Sequence, residues 1–127
     1  MSAIEASGMV SAENVQHFSW GDRCDGWRLV DRADLSVIEE RMPPGTEEEW
    51  HVHDRARQFF YVLAGQATMR TREGDVNLHA GAGLEIPHGV PHQIANDSDL
   101  DLQFLVVSAP STRGDRTRVE SPIGIGG

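Results

Sequence analysis

Between residues 15 and 108 the sequence never sustains a helical period. Apolar residues come in short runs rich in Val, Ile, Leu and Phe, and Gly, Pro, Asn or Asp divide them at close spacing. No segment keeps 3.6-residue periodicity over three turns, so the pattern reads as strands throughout. Strands are expected at 15–20, 27–30, 35–42, 49–53, 58–63, 67–71, 76–79, 84–86, 92–95 and 100–108. The breaks between them include Gly21-Asp22, Pro43-Pro44-Gly45, Ala64-Gly65, Glu73-Gly74-Asp75 and the run from Asn96 to Asp99. Many short strands joined by tight turns bury their apolar faces by packing sheet on sheet or by closing into a barrel. An all-β sandwich or barrel is therefore the expected fold.

The chain has 127 residues, enough for one domain with a core of its own. Residues 1–13 are small and polar and predict a flexible N-terminal arm. The β domain occupies 14–109. Residues 110–127, rich in Gly, Ser, Pro and Arg, predict a flexible or docked tail. Its end, Gly124-Ile125-Gly126-Gly127, is no nucleotide loop, because no strand leads in and no helix follows.

Formal net charge is −9. An acidic surface repels phosphate backbones, so nucleic acid is excluded as a partner. Arg113, Arg116 and Arg118 form a local basic patch on the tail, read as solvated. A single cysteine, Cys24, rules out an intrachain disulfide. The first ten residues lack a secretory pattern, and no apolar run approaches the roughly 20 residues that span a bilayer. A cytoplasmic protein without a membrane partner is expected.

Two segments are more apolar than one buried face requires. In 58–63, Phe60 and Val62 fall on one face and Phe59, Tyr61 and Leu63 on the other; 102–107 is similar. A strand apolar on both faces is covered on both. In a one-layer barrel the outer cover comes from a terminal arm or a second subunit, which predicts a homodimer.

The chemistry concentrates on histidine. His51 and His53 are two residues apart, so a strand directs both to one face. His92 follows the turn segment Pro87-His88-Gly89-Val90-Pro91 and opens another strand. Neutral imidazole is the commonest metal donor near neutral pH, and three that converge make a facial site for a divalent transition metal.

Around these histidines the sequence resembles the cupin superfamily. The first cupin motif reads Gly, five residues, His-x-His, three or four residues, Glu, six residues, Gly. Here Gly45, His51, His53, Gln58 and Gly65 stand in that register. The second reads Gly, five residues, Pro-x-Gly, two residues, His, three residues, Asn, matched by Gly81, Pro87, Gly89, His92 and Asn96. The resemblance implies a jelly-roll β-barrel over about residues 35–108, with a metal and a small-molecule site inside.

Gln58 is the departure, since cupins usually place a carboxylate there as fourth ligand. The resemblance thus implies one divalent ion (Fe, Zn, Ni, Mn or Cu) on His51, His53 and His92, with Gln58 either as fourth donor or bonded only to a water on the ion. A neutral amide leaves the ion its full charge, where a carboxylate would cancel one unit. Such a site is the stronger Lewis acid and favours the lower oxidation state of a redox metal. Because the ligands are neutral imidazoles, metal affinity is expected to fall below about pH 6.5.

The other candidates are weaker. Glu40 and Met42, or alternatively Arg41, point into the barrel, depending on register; an inward Glu40 or Arg41 is a candidate acid, base or substrate anchor. His88, in the turn near the barrel mouth, is a candidate rim contact. Glu47-Glu48-Glu49 reads as a solvated loop, the three tryptophans as packing residues, and His17 and His79 show no partner. The function expected is a metal-dependent enzyme on a small organic molecule, either an oxygenase or a non-redox lyase, isomerase or cyclase. The alternative is a non-catalytic metal-containing binder or sensor.

Overall fold

The structure, a computed structural model, describes residues 8–122. Residues 1–7 of the expected N-terminal arm and 123–127 of the expected tail lie outside the described residues. The described chain is nearly all β. Its strands are β1 His17–Trp20, β2 Cys24–Asp31, β3 Ser36–Met42, β4 Thr46–Glu47, β5 His51–Val52, β6 Arg57–Ala64, β7 Gln66–Thr71, β8 Gly74–His79, β9 Gly83–Ile86, β10 His92–Asn96, β11 Leu102–Ala109 and β12 Thr117–Arg118. Each expected strand overlaps one of these. The short β4 and β12 were not expected. No helix among the described residues is long and apolar enough to cross a membrane.

Two antiparallel sheets face each other. One runs β1-β2-β3-β11-β6-β9; the other runs β12-β5-β10-β7-β8, with β4 also on β10. Register decides what points inward. In the first sheet Leu102 lies opposite Met42, Phe104 opposite Glu40 and Val106 opposite Ile38. On its other side, β11 sets Phe104 against Val62, Val106 against Phe60 and Ser108 against Gln58. Alternation then directs Met42, Phe60, Val62, Phe104 and Val106 into the core, where Met69, Leu78 and Ile94 of the second sheet meet them.

The register also settles the β3 question. Glu40 takes the inward parity of Met42. Arg41 points outward, where its Nε donates to Asp25 at 2.8 Å and its Nη1 to Asp101 at 3.3 Å. His17, expected to lack a partner, has its Nε2 2.7 Å from the Asp25 carboxylate.

The motif residues are scaffold. Gly45, Gly65, Gly81 and Gly89 all have positive φ. Asn96 is fully buried, and its amide donates to the carbonyls of Met42 and Leu100. Gly65 is constrained twice: φ is +83°, and a Cβ there would lie 2.4 Å from the carbonyl oxygen of Asp101. Gly45, at φ +75°, has open space around it.

Gly45→Ala should therefore cost about 1 kcal/mol, the left-handed penalty alone. Gly65→Ala should cost about 2–4 kcal/mol, because a backbone clash is added. Denaturant midpoints of the two variants measure the difference; equal losses would show that the Asp101 contact does not constrain the turn.

Candidate metal centre

His51 lies in β5, His53 just beyond it, and His92 opens β10 directly opposite His51. All three are buried. Their ligand atoms lie within 4.8 Å of one another. The ring centroids of His51 and His92 are 4.5 Å apart, and those of His51 and His53 4.8 Å.

Backbone carbonyls fix the rings. His51 Nδ1 donates to Glu49 O at 2.8 Å, His92 Nδ1 to Val90 O at 2.9 Å, and His53 Nδ1 to Asp115 O. With each proton committed to Nδ1, each ring presents its Nε2 lone pair. His53 Nε2 is buried and has no hydrogen-bond partner. Burial pushes the His51 imidazole down to about 3 and that of His92 down to about 4, and lowers His53 as well. All three are neutral at pH 7, the state a metal requires.

Gln58 reaches the same place from the opposite sheet. Its Nε2 donates to Ser108 Oγ at 3.1 Å, which turns its Oε1 toward His92 Nε2, also at 3.1 Å. With Nδ1 of His92 carrying the proton, these are two acceptors face to face. A cation bound by both removes that conflict. An unpartnered buried lone pair, a second lone pair facing an amide oxygen and a wholly neutral donor set fit a divalent ion.

A cavity of about 560 Å³ opens beside the histidines. His51, His53 and Gln58 line it, with Trp20, Arg28, Glu40, Glu48, Thr112 and Arg116. His88 is exposed in its turn and does not line it. Burial, and secondarily the nearby Glu48, pushes the Glu40 carboxyl up to about 8. Burial likewise raises Glu48 to about 7, although its carboxylate accepts the Ile94 N–H at 3.1 Å. Arg28 sits 4.4 Å over the Phe18 ring and makes no ion pair among the described residues. Gly26 leaves room for that ring: a Cβ there would fall 2.2 Å from it.

Several of these groups were not anticipated. Glu48, read as part of a solvated loop, enters the cavity wall. Arg116, read as part of a solvated tail, lines the cavity and donates to Glu49 at 3.1 Å. Arg28 and Asp115 carried no sequence signal, because neither lies in a motif and their placement depends on long-range packing.

Residues 38–108 match the Cupin domain family. An oxalate-binding protein of Thermotoga maritima is 31% identical over 67 residues, 53% of this chain and 55% of that relative, so the match spans just over half the relative's length. Among solved structures, a predicted oxalate decarboxylase of Thermotoga maritima superposes with a TM-score of 0.72 at 21% identity, covering 81% of this chain and 99% of the other. The polyketide cyclase RemF of Streptomyces resistomycificus superposes with a TM-score of 0.75 at 20% identity, covering 89% and 85%. At those identities the two structures share the fold. Residues 38–108 make up more than half of the chain, which therefore belongs to the Cupin domain family.

Proposed function

We propose that the protein is a metal-dependent enzyme that moves a proton on a small organic acid, as a non-redox lyase, isomerase or cyclase does. The observation that carries the reading is the set of three buried imidazoles with Nδ1 tied to backbone carbonyls and ligand atoms within 4.8 Å of one another beside the cavity. His51, His53 and His92 would hold the ion, with the Gln58 amide oxygen as fourth donor. When bound, the ion supplies Lewis-acid polarisation of a carbonyl or carboxylate oxygen.

The chain's own groups supply the rest. Glu40 keeps a proton at neutral pH inside the cavity and is the general acid. Arg28, a cation on the cavity wall without a carboxylate partner among the described residues, suits the anionic end of the substrate. The Phe18, Trp20, Phe60 and Val106 side chains limit water around them.

The relative named for oxalate binding favours a second reading, a binder using the same site. Retention of a small dicarboxylate with no turnover would support it.

Metal content of protein purified without added metal tests the first claim; Fe, Zn, Ni, Mn and Cu are all measured. About one equivalent is expected. Less than about a tenth of an equivalent, with no uptake on titration, overturns the metal centre. Glu40→Gln should keep the metal and slow solvent deuterium exchange into a responsive oxo- or hydroxy-acid by about 10²–10⁴-fold. Exchange at the wild-type rate removes Glu40 from the mechanism, and substrate-dependent oxygen consumption would replace the non-redox reading by an oxygenase.

Burial also fixes how the metal-free fold responds to pH. The histidines bind fewer protons folded than unfolded below about pH 6.5, so their contribution falls as pH drops. Glu40 and Glu48 bind more protons folded than unfolded between about pH 4.5 and 8, so their contribution falls as pH rises. Opposed slopes place maximum stability at about pH 6. Thermal melts in chelator across pH 4–9 should show it, with Glu40→Gln flattening the alkaline side. A maximum above pH 8 would contradict the buried acidic wall.

The sheet face bearing Phe59, Tyr61 and Leu63 is exposed by 43, 37 and 42%. We assign it to a second copy of the chain. Light scattering should give a dimer mass, and Tyr61→Arg should shift it toward monomer; a wild-type monomer at micromolar concentration removes the assignment.

A further inference from the structure

We propose that the segment 111–119 is a latch on the metal centre and that Asp115 is the residue that sets it. The inference rests on the three-histidine site holding a metal. The latch itself lies beyond the 38–108 family match and belongs to this chain's own sequence.

Asp115 is buried, with 5% of its surface exposed, in a segment rich in exposed residues. Its carboxylate accepts three successive backbone N–H groups from the turn that follows His53: Asp54 at 2.8 Å, Arg55 at 3.0 Å and Ala56 at 2.8 Å. Burial opposes the charge, but those N–H groups hold the carboxyl below its ordinary range. The same residue's carbonyl receives the Nδ1–H of His53. One residue therefore clamps the turn and orients the ring.

The chain then continues as β12 along β5. Thr117 pairs with Val52 and Arg118 with His51, and the Val119 N–H donates to Trp50 O at 3.0 Å. The clamp thus seats a strand directly on the two-histidine segment. Thr112 and Arg116 of the same segment line the cavity.

His53 is the ligand most dependent on this arrangement. His51 and His92 are oriented by carbonyls two residues earlier, in the segments that lead into their own strands, whereas the carbonyl that orients His53 is 62 residues distant in sequence. If the latch leaves, His53 loses its tautomer-fixing partner and the other two do not. Coupling is reciprocal, so metal binding must hold the latch closed by the same factor that the latch adds to metal affinity. Loss of a group that orients a ligand typically lowers metal affinity 10–100-fold.

The test uses the full chain with Co(II) or Zn(II). In the wild type, metal should slow tryptic cleavage after Arg113, Arg116 and Arg118 by about 10–100-fold relative to chelated protein. Asp115→Ala should weaken metal binding by a similar factor and alter the Co(II) visible spectrum. Asp115→Asn, which keeps one carbonyl acceptor, should recover part of both. Cleavage after those arginines at the same rate with and without bound metal overturns the proposal, as does Asp115→Ala with wild-type metal affinity and spectrum. The proteolysis arm needs no variant and stands even if Asp115→Ala does not fold. A wild type that takes up no metal overturns the metal centre itself, a result distinct from metal binding that ignores the latch.

Discussion

The desolvation of three imidazoles at one end of the barrel is the constraint on which the site depends. Each ring donates one hydrogen bond to a backbone carbonyl, and His53 buries its other nitrogen without a partner. An unmet buried polar group costs about 1–3 kcal/mol, so the fold carries a standing cost at His53 Nε2 unless something accepts that lone pair. The carbonyls of Glu49, Val90 and Asp115, which set the ring planes, lie in segments that run directly into the strands β5, β10 and β12, so the donors are held by the strand ends. The strands are rigid in turn because β10, buried along its whole length, runs from His92 through Ile94 into the core. Core packing and ligand geometry are consequences of one register.

The same withdrawal of water shapes the acidic wall. Glu40 and Glu48 share a cavity with few compensating cations, so each favours its neutral form. Contrast Asp115, also buried, which stays ionised because three N–H groups surround it. The difference is hydrogen-bond supply, since burial opposes ionisation in both places. A protonated Glu40 is a donor at neutral pH, and it leaves the charge of Arg28 uncancelled. One cavity can then offer a proton and attract an anion at once.

How much of this the sequence disclosed follows from range. The strand pattern and the turns at Gly45, Gly65, Gly81 and Gly89 are local properties, written in alternation and in residues that tolerate positive φ. His51 and His53 share a face by strand parity, and the motif spacing brought in His92. Whether Glu40 or Arg41 faces inward was not local. It depended on pairing with β11, which sets Glu40 opposite Phe104. Glu48 and Arg116 looked like solvent-facing charges because composition cannot show which charged residues a sheet edge will cover. Asp115 was the least legible: its three partners lie about sixty residues earlier, and a Gly, Ser and Arg-rich tail that reads as flexible or docked does not show where it docks.

Gln58 links these features. At that position a carboxylate would serve as ligand and would reduce the charge of a bound divalent ion. A glutamine amide leaves that charge unchanged, yet the cavity is not poor in carboxyl groups, for Glu40 and Glu48 stand on its wall. Acidic groups stand near the histidines but not at the amide position that Ser108 orients. A carboxylate bound to an ion is a poor proton donor, because the ion holds it in the charged form. A carboxyl on the wall, shielded from water and separate from the ligand set, can carry a proton. With the amide as neutral donor, charge at the imidazoles and acidity at the wall are set by different residues, and each can be changed without rebuilding the other.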